Sequence, residues 1–296
     1  MHRRASETND GDDLKGRSFR RAEMPARRGA AAIEKLGWEP PGTAEGLADR
    51  WVAELDRHQV SRAALIASVP GDAASVASAV RLHRDRFVGF FMVDPTQANA
   101  AESAAQALAS GDLRAMCLFP AMHRYSIQDE RATRIFDAAA AVPGTALFVH
   151  CGVLSVGVRK RLGLPSPFDM RFSNPLDLHA VALAHAQVPI IVPNFGAGMF
   201  REVLMLADLC PNVYLDTSSS NQWIKYVGSS IADVFRRAIA VVGPERLLFG
   251  SDSSFFPRGW VSDVYLQQSA ALDEIEAPAD AKAKIFGGNF ERLFPR

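Results

Sequence analysis

Residues 87–95 read FVGFFMVDP, an unbroken apolar run with one glycine, closed by Asp94 and Pro95. The run is too short for a core helix and has no polar face. It therefore reads as a strand covered on both sides, the pattern of a parallel sheet. Outward from it the same unit recurs. Helical spacing covers 44–58, 73–84, 97–110, 128–141, 175–186, 199–209 and 230–242. Each helix leads into a short apolar strand, at 62–69, 87–93, 114–119, 145–150, 189–193, 212–216 and 246–250. Two further helical stretches, 261–275 and 278–294, end the chain, the second turning at Gly287-Gly288 before a last short helix that Asn289 can cap.

Such alternation builds either a (β/α)8 TIM barrel or a doubly wound sheet, both of class α/β. No Gly-x-Gly-x-x-Gly follows the first strand, which weighs against a dinucleotide fold and selects the barrel. A closed barrel needs an eighth strand before the first helix. None is legible, so the first strand is read as missing or degenerate. Residues 1–40 carry Arg-Arg pairs among acidic residues without hydrophobic period, and read as a mobile, charge-mixed tail. Residues 41–296 are read as the barrel.

The chain has 296 residues, 48% of them hydrophobic, enough for a substantial core. Lys plus Arg equals Asp plus Glu at 33 each, a balance that argues against nucleic acid as a partner. No run of about 18 apolar residues suggests a membrane span. The cysteines, Cys117, Cys151 and Cys210, are scattered and odd in number, against a disulfide framework. A cytoplasmic setting is expected.

In barrels of this kind chemistry sits where strands end. The polar tips are Gly71-Asp72, Asp94-Pro95, Pro120 with His123 and Arg124 beyond, His150-Cys151-Gly152, Asn194-Phe195-Gly196, Asp216-Thr217-Ser218 and Ser251-Asp252-Ser253. Asp72 and Asp94 read as caps of helices or turns. Asp216 either caps a turn or reaches the pocket. His123 and Arg124 lie in a loop, to bind substrate or merely to be solvated. His150 ends the run ALFVH and should point into the barrel mouth, faced by Asp252 of the last strand. Asn194, in IIVPNFGAG (190–198), can neither act as a base nor ligate a transition metal well. His58, His83, His179 and His185 fall on outer helices.

The stretches HRDRFVGFFMVDP (83–95), LFVHCG (147–152), VPNFGAG (192–198), NVYLDTSS (212–219), RLLFGSD (246–252) and IFGGNFERLF (285–294) together resemble the amidohydrolase-related family. This branch includes aminocarboxymuconate-semialdehyde decarboxylase and 2-pyrone-4,6-dicarboxylate lactonase. The resemblance implies a mononuclear metal site, usually zinc, held by a first-strand His-x-His pair, a fifth-strand His and an eighth-strand Asp. By position, His150 and Asp252 are the last two, and Asn194 stands where a sixth-strand proton-transferring His belongs. The His-x-His has no counterpart, which leaves a weak, incomplete metal site. No tightly bound cofactor is expected, although the resemblance leaves room for zinc or another divalent metal.

The function expected from this resemblance is a hydrolase, or a lyase such as a decarboxylase, acting on a small carboxylate, lactone or amide. Asp252, Asn194 and His150 are its catalytic candidates. His123, Arg124, Asp216, Ser218 and Trp223 are candidates for holding the small-molecule substrate. The competing expectation is a catalytically degenerate barrel that binds or assembles. The loop SSSNQWIKY (218–226) would then meet a partner subunit, and a homodimer stays open.

Overall fold

The computed structural model describes residues 33–67 and 71–296. The expectations for residues 1–32 and for the tip residues Ser68, Val69 and Pro70 lie outside them.

Seven strands form one parallel sheet in chain order: β1 (Ala63–Ala67), β2 (Phe87–Val93), β3 (Leu113–Leu118), β4 (Ala146–Val149), β5 (Ile190–Val192), β6 (Val213–Asp216) and β7 (Leu247–Leu248). Every neighbouring pair is parallel. Among the described residues, no strand joins β7 back to β1. The seven strands are those expected from the apolar runs. The described strands thus make a seven-stranded parallel sheet covered by helices.

Alternation along each strand splits the core in two. Phe91, Met116, Leu147, Ile190, Val213 and Leu247 face outward and join one large cluster with the helices. Three of the chain's helices begin on side-chain caps. Thr43 accepts from Gly46 N–H ahead of Ala44–Arg57, Asp129 accepts from Arg131 N–H ahead of Glu130–Ala140, and Ser230 accepts from Asp233 N–H ahead of Ile231–Val242. The opposite face gathers Val88, Phe90, Ala115, Cys117, Ala146, Phe148, Ile191, Tyr214 and Leu248. Apolar side chains on both faces are why the strands carry no alternating polar residues.

The second face is filled by the end of the chain. The stretch 278–294 breaks near the expected Gly287-Gly288 turn and has three parts: Ala279–Ala283, a wider turn at Lys284–Gly288, and Asn289–Leu293. Phe290, Leu293 and Phe294 pack into the inner cluster, with Phe294 only 1% exposed and its ring centroid 5.3 Å from that of Phe90. Asn289 does not cap its helix with its side chain. Its amide donates instead to the carbonyls of Pro244 (2.7 Å) and Leu247 (2.8 Å), tying the helix to the foot of β7. Just before β1, Arg62 reaches Glu291 at 2.9 Å and also donates to the Phe294 carbonyl. Trp38 stacks on Phe255 at 4.4 Å, and Glu54 of the first helix accepts from Trp260 N–H at 2.9 Å. The region around β1 is thus bound to the loop after β7 and to the C-terminal helix.

Truncating Phe294 removes a ring from this sealed interior. Phe294→Ala should cost about 3–4 kcal/mol in denaturant unfolding, within the range for buried Phe. Leu183→Ala, on an outer helix at 54% exposure, should stay within about 0.5 kcal/mol of the parent.

Candidate active site

The ends of β4 to β7 bring together most of the expected residues. His150 follows Phe148 by two residues and Asp216 follows Tyr214 by two, so both continue the inner face of the sheet. His150 is 6% exposed, its ring 5.7 Å from the Phe119 ring. Asp252 lies four residues past β7, in a left-handed backbone conformation (φ 55°).

Asn194 is placed by an unusual turn. Asn194, Phe195, Gly196, Ala197 and Gly198 have successive φ of 60°, 46°, 73°, 45° and 98°. Each non-glycine residue there costs about 1–2 kcal/mol. Phe195 offsets the cost: it is fully buried, its ring 4.9 Å from Trp223, 5.6 Å from Phe235 and 5.7 Å from Phe200. The β4 tip presses against the same turn. Val153 N–H donates to the Ala197 carbonyl at 2.8 Å, and a Cβ on Gly152 would lie 2.0 Å from the Gly196 oxygen. Only glycine admits this approach.

The turn delivers Asn194 into a side-chain chain. Its Nδ2 lies 3.2 Å from His150 Nε2, and its Oδ1 lies 2.8 Å from Ser218 Oγ. Ser218 Oγ also contacts Asp216 Oδ1, which accepts from Ser218 N–H at 2.9 Å. Gly250 makes room: a Cβ there would be 2.7 Å from Asp216 Oδ2.

The charges are displaced from their ordinary behaviour. Burial pushes the Asp216 carboxyl up to about 6, against the hydrogen bonds from Ser218 and the Asn194 backbone, and the Asp252 charge adds to the rise. Asp252 is also raised, by burial first, while Arg258 pulls it down. The residue nevertheless stays exposed to solvent. Burial lowers His150 to about 4, so its imidazole is neutral near neutral pH.

The other candidates have neighbours of their own. His123 closes the short helix Pro120–His123, rather than lying in an open loop, with Nδ1 3.8 Å from Asp94 Oδ1. Asp94 caps its own turn, accepting from Thr96 N–H at 3.0 Å. Arg124 donates to the Pro167 carbonyl at 2.9 Å. Trp223 is 2% exposed, and its indole N–H donates to the carbonyls of Thr217 (3.2 Å) and Ser218 (3.0 Å), so it supports the loop from behind. One residue was not legible as a candidate. Arg258 lies beyond the tip in SSFFPRGW, donates to the Asp252 carbonyl and acts on the Asp252 charge. Its only signal in the sequence is a lone cation after the last strand.

Catalytic zinc takes three protein ligands and keeps one position open. Among the described residues, no three His, Cys, Asp or Glu side chains are grouped to hold a metal ion. His150 Nε2 faces an amide rather than a further ligand. This donor set does not fit a tightly held catalytic metal.

Solved structures share the fold. The chain is similar to 5-carboxyvanillate decarboxylase from Sphingomonas paucimobilis, at 19% identity and TM-score 0.60, covering 92% of this chain and 87% of that one. It is similar to a probable 2-pyrone-4,6-dicarboxylic acid hydrolase from Acinetobacter baumannii with citric acid bound, at 13% identity and TM-score 0.58, covering 84% and 89%. An amidohydrolase from Burkholderia multivorans with bound zinc matches at 14% identity and TM-score 0.54, covering 86% and 92%. No curated protein matches the sequence. The family profile described as amidohydrolase matches residues 53–296, a span that takes in every strand of the sheet. A match of that extent, on a chain whose strands follow one another in parallel order, shows that this chain belongs to the amidohydrolase family.

Proposed function

We propose that this chain is a hydrolase of small carboxylate-bearing substrates with a lactone, ester or amide carbonyl. It would work at the ends of β4–β7 without a tightly held metal, on a barrel whose first strand is missing or degenerate. The observation that carries the reading is the pair Asp216 and Asp252. Two carboxyl groups within electrostatic reach sit in different surroundings, one hydrogen-bonded to Ser218 and the other beside Arg258. Pairs held apart in this way divide acid from base. The reading takes 41–296 as the catalytic unit and 1–40 as its tail. A cytoplasmic setting is supported by three free, buried cysteines.

In this mechanism Asp252 takes a proton from water as the water oxygen bonds to the carbonyl carbon. Asn194 Nδ2 carries two hydrogens; one faces His150 Nε2, and the second is free to donate to the carbonyl oxygen as it gains charge. The bond to the leaving oxygen or nitrogen then breaks, and Asp216 supplies the proton that this atom takes up. Arg258 uses its remaining N–H groups for the substrate carboxylate. Solvent returns both carboxyl groups to their starting states.

The alternative, a degenerate barrel that binds or assembles, is favoured by the amide at position 194 and the neutral His150. A panel of small carboxylated lactones, esters and amides separates the two. Asp252→Asn should lower kcat/KM by about 10²-fold or more on any member that the parent hydrolyses. A parent as inactive as the variant across the panel supports the degenerate reading instead.

The pH profile follows from the two carboxyl groups. Asp216 must hold its proton, so activity is present below about pH 6 and is lost as pH rises through that value. Asp252 must be ionised, so activity also falls on the acid side, where its raised carboxyl takes up a proton. The two limbs belong to the coupled pair. Asp216→Asn should abolish the alkaline limb together with most of the rate, as read by kcat/KM against pH.

A further inference from the structure

Behind the rim a buried polar network is centred on helix Ser262–Glu274. The helix turns Val264, Gln268, Ala271 and Leu272 inward, and Gln268 is the one polar side chain among them. It is fully buried. A buried amide is costly unless its groups are paired, so its contacts define its task. Gln268 Nε2 lies 3.1 Å from the Thr217 carbonyl oxygen and 2.8 Å from Asn221 Oδ1. A backbone carbonyl only accepts, so the amide nitrogen must face it and the side chain has one orientation. Oε1 then faces Thr217 Oγ1 at 2.8 Å, where it accepts. The Thr217 hydroxyl hydrogen is thereby committed to Gln268. The hydroxyl oxygen is left to accept from Gly250 N–H at 3.3 Å.

That last contact joins the two tips that carry carboxyl groups. β6 and β7 pair as far as Asp216 opposite Leu248, and Thr217 N–H donates to the Leu248 carbonyl at 2.9 Å. Beyond this rung the Thr217 side chain supplies the next link, to Gly250. Asp216 precedes Thr217 directly, and Asp252 follows Gly250 by two residues. The same amide also holds Asn221, which ends a run of left-handed residues, Ser219, Ser220 and Asn221 (φ 73°, 49° and 57°). We propose that Gln268 is a positioning residue: through Thr217 it ties the tips of β6 and β7 together and so fixes where Asp216 stands relative to Asp252. Its hydrogen bonds go to neither carboxyl group. That these groups turn over a substrate rests on the hydrolase reading, whereas the tie itself belongs to the resting protein.

Two measurements on the full-length protein test this. The first is hydrogen exchange of the Gly250 amide in ¹⁵N-glycine-labelled protein, read against Gly89, which is buried in β2. Gln268→Met keeps the length of the side chain and loses the amide. It should speed exchange at Gly250 by about tenfold or more relative to Gly89. Thr217→Val should do the same, and Thr217→Ser, which returns the hydroxyl, should restore the parent ratio. The second is steady-state kinetics on a substrate that the parent hydrolyses. Gln268→Met and Thr217→Val should lower kcat by about tenfold or more with KM within about twofold, and Thr217→Ser should recover kcat. An unchanged ratio in Gln268→Met overturns the proposal, as does an equal rise at both glycines, which marks general loosening. Faster exchange at Gly250 with an unchanged kcat overturns it too. Should Gln268→Met not fold, Thr217→Val decides on the same terms. A parent that turns over no substrate contradicts the hydrolase reading alone, and the exchange ratio then decides whether Gln268 ties the tips.

Discussion

A buried polar side chain has to find a partner, and at this rim the partners can meet only through a strained backbone. Five successive positive φ angles, from Asn194 to Gly198, turn the end of β5 so that one amide faces both His150 and Ser218. Nothing in an isolated peptide favours that turn. It persists because Phe195 is wedged among Trp223, Phe200 and Phe235, and because Gly152 lets the β4 tip close on it. Strain held in this way by surrounding packing is typical of functional sites. The geometry of this rim therefore depends on an aromatic cluster behind it, which reaches the Ser218 carbonyl through the Trp223 indole N–H.

The same turn changes the meaning of position 194. An imidazole there would add a proton carrier. The amide adds none, and it occupies His150 Nε2 instead. In the proposed mechanism, proton movement then falls to Asp216 of β6 and Asp252 after β7, two carboxyl groups whose surroundings raise them above ordinary carboxylic acids. Arg258 offsets the Asp252 charge, and in that mechanism its remaining donors serve an anionic substrate. Among the described residues, no third His, Cys, Asp or Glu is grouped with His150 and Asp252 to make the three protein ligands of a catalytic zinc.

Much of this was legible in the sequence, for physical reasons. Strands buried on both faces write themselves as continuous apolar runs, which is why all seven appeared within a few residues of their observed bounds. Their tips point one way in a parallel sheet, so His150, Asn194, Asp216, Ser218 and Asp252 could be placed on one rim from spacing alone. What spacing could not supply were contacts between distant segments. The close approach of Gly250 to Asp216 is of this kind, as is the return of Arg258 to Asp252. Trp223 shows the limit from the other side: an aromatic in a polar loop has the same sequence signature whether it faces a substrate or, as here, braces Phe195 from within. In the C-terminal segment the Gly287-Gly288 turn was legible, whereas the Asn289 amide reaching the distant carbonyls of Pro244 and Leu247 was not.

The central claim is that the carboxyl groups of β6 and β7 do the work without a tightly held metal. Its most direct test is kcat/KM on an active lactone or ester substrate, measured before and after exhaustive chelation, with the metal content of the same samples determined. The account predicts a rate unchanged by chelation and far less than one metal ion per chain. Activity that disappears on chelation and returns with one equivalent of zinc would contradict it.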